Sequence, residues 1–225
     1  MSTTSPATLA EIQFADNPEP RAPCVLLLDT SGSMAGPRIE ALNAGLWTFK
    51  EDLLGNALAL RRTEVAIVTF DSAVTVRHDF VTADNFTPPT LEATGATCMG
   101  GGILKALELL QARKTQYKAN GIAYYRPWIF MITDGDPQGE PDSVVADAAR
   151  QIAEHEANKR VAFFAVAVEG ANLERLSQIS TRAPLKLAGL KFSELFLWLS
   201  ASMQGVAKSK IGDQVPLPPA GWSSV

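Results

Sequence analysis

The chain has 225 residues, of which 46% are hydrophobic and 20% charged, a balance that supports a packed core and excludes a disordered polymer. Its net charge of −4, with no run of Lys and Arg, excludes nucleic acid and anionic membrane surfaces as main partners. No apolar run approaches the ~20 residues of a membrane helix. The N-terminus "MSTTSPATLAEIQFADNPEPRAP" also lacks the basic start and long apolar centre of a signal peptide, so a cytoplasmic protein is expected.

Taken in order, "LAEIQFA" (9–15) is either an added edge strand or a mobile lead-in. "CVLLLD" (24–29) is a continuous apolar run, the pattern of a strand covered on both faces. Beyond Pro37 the period changes: Ile39, Leu42, Leu46, Phe49 and Leu53 fall three and four apart, with proline suited to a first helical turn. "EVAIVTF" (64–70) is a second buried strand. In the hairpin that follows, Thr75, Arg77 and Asp79 alternate with Val74, Val76, His78 and Phe80, as in a half-exposed antiparallel edge.

"TADNFTPPTLEATGAT" (82–97) reads as loop. Ile103, Leu104, Leu107 and Leu110 mark a helix, "PWIFMIT" (127–133) a strand, and Val144, Val145, Ala148, Ala149 and Ile152 another helix. "VAFFAVAV" (161–168), a short helix through Leu173, Leu176 and Ile179, and a short edge strand "LKL" (185–187) follow. The last helix carries Phe192, Leu195, Phe196, Leu199 and Met203. This alternation predicts an α/β fold: a Rossmann-like, doubly wound, mostly parallel sheet with one antiparallel edge strand and helices on both faces. The chain divides into an extension (1–22), one domain (23–206) and a Pro-rich tail (207–225). In the tail, "GDQVPLPPAGW" either packs on its own domain through Trp222 or is offered to a partner.

Three loops carry chemistry. "DTSGS" supplies Asp29, Ser31 and Ser33 after the first core strand, "GATCMGGGI" supplies Thr97 before a helix, and "ITDGDP" supplies Asp134 at a strand end. Ligands of open parallel sheets gather beyond the carboxyl ends of strands, where strand order reverses. If "CVLLLD" and "WIFMIT" are central neighbours, Asp29 and Asp134 emerge side by side, and the crossover before Thr97 returns it to the same crevice. Two carboxylates with three hydroxyls form an all-oxygen set suited to Mg²⁺, with Mn²⁺ or Ca²⁺ as alternatives, and unsuited to zinc. An ion held by so little negative charge seeks a further anionic oxygen, such as a partner's Asp or Glu side chain. The plainer alternative is that these residues only cap helices and strand ends.

Other features have plain readings. Asp136 is a loop cap, and Asp71 and Glu169 are strand-end carboxylates. Cys24 is a small buried hydrophobe, and Cys98 has no neighbour that would activate a thiolate. "GGG" (100–102) lacks the Lys-Ser/Thr step of a phosphate loop, so its glycines serve close packing at a helix start. His78 and His155 stand apart from every motif. An Asp-nucleophile, Mg²⁺-dependent phosphatase-like hydrolase is the enzymatic alternative, but the place of its usual second acid is taken by Ser31.

The ordered set Asp-x-Ser-x-Ser, Thr in a Gly-rich loop and Asp in "TDG" resembles the von Willebrand factor type A domain over roughly residues 23–206. The resemblance implies a metal-ion-dependent adhesion site (MIDAS) at Asp29, Ser31, Ser33, Thr97 and Asp134, and a protein-interaction module rather than an enzyme. The flanks "FADNPEPRAPCVLLLDTSGSM" and "GDQVPLPPAGW" resemble the bacterial tellurium-resistance-associated Y branch. That resemblance implies a tellurite and stress-response setting, with a kinase, a phosphatase or another tellurium-resistance protein as partner.

Overall fold

The structure, a computed structural model, describes residues 14 and 16–224. The segment "LAEIQFA" lies outside the described residues except for Phe14. Seven strands form one sheet: β1 (Ala22–Asp29), β2 (Thr63–Phe70), β3 (Val74–Thr82), β4 (Trp128–Thr133), β5 (Ala162–Ala167), β6 (Leu185–Leu187) and β7 (Ser223–Ser224). Their order is β3-β2-β1-β4-β5-β6-β7. The pairs β1–β2, β1–β4, β4–β5 and β5–β6 are parallel, and β2–β3 is antiparallel. The expected mostly parallel sheet with an antiparallel edge is therefore present. At its other rim β7 pairs antiparallel with β6, so "LKL" is not the edge its sequence predicts.

The helices are α1 (Pro37–Leu54), α2 (Ala57–Arg62), α3 (Met99–Ala119), α4 (Asp142–Ala157), α5 (Leu173–Ile179) and α6 (Phe192–Lys208). The pleat of β1 sends Cys24, Leu26 and Leu28 to the face covered by α1 and α6. Val25 and Leu27 go to the face covered by α3, α4 and α5. All eight β1 residues are buried, which is why the strand reads as an unbroken apolar run. The glycines of "GGG" allow the predicted close approach. A Cβ on Gly100 would lie 2.9 Å from the Val145 backbone, and one on Gly102 3.0 Å from Phe70.

Two features go beyond the sequence reading, and in a third the tail takes the first of its two expected arrangements. The short helix α2 is capped by Asn56, whose side chain accepts from the Leu58 and Ala59 amides. The 82–97 loop sinks Phe86 and Leu91 into the core, and the Asn43 side chain pins it by bonding both backbone groups of Leu91 at 2.9 Å. In the tail, Trp222 is buried against Trp198, ring centroids 5.5 Å apart. No described helix is long and apolar enough to cross a membrane.

Candidate metal centre

β1 and β4 are adjacent, yet the chain leaves β1 for β2 on one side and reaches β5 from β4 on the other. Strand order therefore reverses between β1 and β4, the place beyond whose strand ends ligands of open parallel sheets gather. Asp29 is the last residue of β1, and Asp134 follows the last residue of β4.

Asp29 is fully buried. Its Oδ1 accepts from the Ser31 amide at 2.8 Å, and its Oδ2 accepts from the Thr133 hydroxyl at 2.5 Å. Burial pushes its carboxyl above the usual range; bonds from Ser31 and Thr133 work against this, and nearby Asp134 adds to it. Above Asp29 the hydroxyls form a chain: Ser31 Oγ lies 3.0 Å from Ser33 Oγ, which donates to Asp134 Oδ1 at 2.7 Å. Ser33 is exposed, so this chain opens to solvent.

Thr97 reaches the same place from the loop before α3. Its backbone exchanges two hydrogen bonds with Gln138, at 3.0 and 2.9 Å. A Cβ placed on Gly135 would meet Thr97 Oγ1 at 3.6 Å and Ser33 Oγ at 3.9 Å. Glycine here keeps the space between the two hydroxyls clear. All five residues singled out in the sequence thus converge on one end of the sheet.

Residues that the sequence reading passed over hold this arrangement. Arg38, in the first turn of α1, donates to Asp134 Oδ2 at 2.5 Å and to the Ser33 carbonyl at 2.9 Å. Thr133 fixes Asp29, and Glu140 accepts from the Gly100 and Gly101 amides at 2.6 and 2.9 Å, capping α3 beside Thr97. Only Thr133, adjacent to the "DG" step, carried a sequence signal, as a strand-end hydroxyl. Asp136 and Asp71 serve as loop acceptors, bonding the Asn172 side chain and the Thr30 hydroxyl. Both cysteines are free. Burial pushes the Cys24 thiol up to about 12, and burial with Glu140 and Asp71 raises that of Cys98.

Among the described residues, no group of three or more His, Cys, Asp or Glu side chains is placed to hold a metal ion. A cation bound here would rest on two carboxylates and hydroxyl oxygens, a hard donor set. Asp29 and Asp134 are both buried, and among the described residues only Asp134 has a cationic partner, Arg38. A second positive charge fits that imbalance.

The family model for the von Willebrand factor type A domain matches residues 24–188, and the chain belongs to that family. A search of curated proteins gave no match. Among solved structures, the fold is similar to a von Willebrand factor type A protein from Catenulispora acidiphila (TM-score 0.63, 18% identity, 83% of this chain and 43% of that one). It is also similar to proximal thread matrix protein 1 of the mussel byssus (TM-score 0.57, 19% identity, 82% and 48%). A third is the pilus adhesin SpaC of Lactobacillus rhamnosus GG (TM-score 0.64, 14% identity, 83% and 30%). The chain thus spans less than half the length of each of these proteins. The mussel protein is also described with a zinc-occupied MIDAS motif.

Proposed function

We propose that the chain is a metal-ion-dependent protein-interaction module whose cation is held by Asp29, Ser31, Ser33, Thr97 and Asp134. The observation that carries this reading is the run of hydrogen bonds from Ser31 through Ser33 to Asp134, directly above the buried Asp29. These oxygens sit where strand order reverses, and hydroxyls make up more than half of the set. The bound cation would supply an electrophilic point for one further anionic oxygen. The partner is a protein that lends an Asp or Glu side chain, and neither nucleic acid nor membrane is engaged.

Mg²⁺ is the first choice of ion, with Mn²⁺ or Ca²⁺ as alternatives. Zinc enters the test because one protein of similar fold, proximal thread matrix protein 1, is described with a zinc-occupied MIDAS motif. The domain at 23–206, with its flanks 1–22 and 207–225, belongs on this reading to the bacterial tellurium-resistance-associated Y branch. Its setting is cytoplasmic, in a tellurite and stress response linked to a kinase and a phosphatase. The support for that branch is the two flanking sequences alone.

The hydrolase alternative meets a physical obstacle. A nucleophilic carboxylate needs an oxygen within reach of phosphorus, whereas Asp29 is fully buried with both oxygens hydrogen-bonded.

Thermal unfolding with and without each divalent ion tests the site. Mg²⁺ at about a hundred times its Kd should add about 2.7 kcal/mol of stability. Asp29→Asn and Thr97→Ala should lose that gain while remaining folded. Pull-downs with wild type and Asp29→Asn, with and without chelator, test recognition. The same proteins recovered in every lane would remove the metal from recognition. Phosphoester turnover lost in Asp29→Asn would replace the module with the hydrolase.

A further inference from the structure

At the opposite end of the sheet, the amino ends of β4 and β5, the last turns of α3 and the segment after α6 enclose a cavity of about 1080 Å³. This is slightly larger than most small-molecule sites, which span roughly 300–1,000 Å³. In a chain of net charge −4, this cavity is lined by Lys114, Lys118, Arg126, Lys159, Arg160 and Arg182, against a single acidic lining residue, Asp213, among the described residues.

Internal carboxylates neutralise only some of these charges. Arg126 and Arg182 share Glu156, at 3.8 and 2.9 Å, and Arg160 reaches Glu154 at 3.8 Å. Lys114, Lys118 and Lys159 form no ion pair among the described residues.

Lys114 is the decisive residue. It is only 6% exposed, lines the cavity and has no hydrogen-bonding partner among the described residues. Its aliphatic stem is covered by the cavity wall, while its ammonium stays in contact with the cavity. Burial, together with Lys118 and Arg160, pushes its pKa below the ordinary lysine value. Lys159 adds a second local cost. It holds φ at 53°, a left-handed conformation in which glycine is the usual choice, just past the end of α4. Both lysines carry positive charge to the cavity wall at the expense of the fold.

We propose that this cavity binds a small molecule carrying a chain of two or more phosphate groups. Three unpaired ammoniums match the charge of a di- or triphosphate, and the flanking guanidiniums supply paired N–H donors to phosphate oxygens. Tyr124 and Trp128 in the same wall offer aromatic surface for a ring attached to the phosphates.

The test is calorimetric titration of the full chain with sodium tripolyphosphate and, separately, with ATP, at about 0.15 M salt. Chelator is present throughout, so the metal centre plays no part. Saturable one-to-one binding is expected. Lys118→Gln and Lys114→Met should each weaken it about ten-fold. Arg77→Gln, on the exposed β3 edge, should leave it unchanged. Lys118 is exposed, so its variant keeps the test valid if Lys114→Met fails to fold. Equal affinity for both ligands assigns the binding to the phosphates alone, and tighter ATP binding adds the ring. No saturation by ~1 mM ligand, equal binding of citrate, or unaltered binding by Lys118→Gln and a folded Lys114→Met would overturn the proposal.

Discussion

The guanidinium of Arg38 lies 2.5 Å from Asp134 Oδ2, while the Ser33 hydroxyl takes the other oxygen of the same carboxylate at 2.7 Å. Arg38 thus brings a positive charge into the space a divalent cation would share. Although the two carboxylates can balance two positive charges, Arg38 and the ion would share Asp134 and repel at short range. Arg38→Gln keeps a donor for Asp134 and removes the charge. It should tighten Mg²⁺ or Mn²⁺ binding about ten-fold, or roughly 1.4 kcal/mol, read by calorimetry. Unchanged affinity would make Arg38 a structural tie for the loop.

Thr133 donates to the Oδ2 of a carboxylate that has no exposure to water. Thr133→Val preserves shape and leaves that oxygen unsatisfied, at a cost of about 1–3 kcal/mol. Urea unfolding should show the loss, and metal affinity should fall with it because Asp29 is no longer held. A metal-binding loss with no loss of stability would contradict this coupling.

Gly100 and Gly101 offer a matched pair. A Cβ at Gly100 meets Val145 backbone at 2.9 Å, whereas one at Gly101 meets the end of the Val74 side chain at 3.3 Å. Backbone cannot yield as a methyl can. Gly100→Ala should therefore cost about 1–3 kcal/mol. Gly101→Ala should be much milder, since alanine's helix preference of up to about 1 kcal/mol opposes the strain. Paired denaturant curves decide this.

His155 is held below its ordinary value of 6.5, by burial first and then by Lys114 and Arg160, with Glu154 acting the other way. Its Nδ1 is buried without a partner. The unfolded chain therefore takes up a proton more readily than the folded one. Stability contributed by the neutral ring is complete above pH 6.5 and is lost as pH falls from there through the folded-state value. His155→Gln should narrow the gap between melting temperatures at pH 7.5 and pH 5.5. An unchanged gap would show that His155 does not titrate across unfolding.

Much of this architecture is legible in the sequence because its signals are local. β1, β2, β4 and β5 are buried on both faces, so their residues form unbroken apolar runs. The convergence of Asp29, Thr97 and Asp134 follows from the strand-end rule once β1 and β4 are neighbours. What escaped depends on contacts distant in sequence. Arg38 and Asp134 are 96 positions apart, and an arginine in a first helical turn carries no mark of its partner. Glu64 reads as the first letter of a strand, yet it is fully buried between Arg21 and Arg113 at 2.9 and 2.7 Å. β7 was invisible because two serines have no strand pattern; its place is set by Trp222 anchoring the tail.

That anchoring has a consequence for how the molecule meets other chains. An open rim of a sheet invites any extended peptide to add itself by backbone pairing, without regard to side chains. Here β6 spends its outer edge on pairing with β7 of the same chain. At the other rim, β3 turns Arg77 and Asp79 outward, and charged rims discourage such addition. Uninvited strands are kept off both rims, and the proposed recognition would fall to the loops at the ends of the sheet, where side-chain chemistry decides who binds.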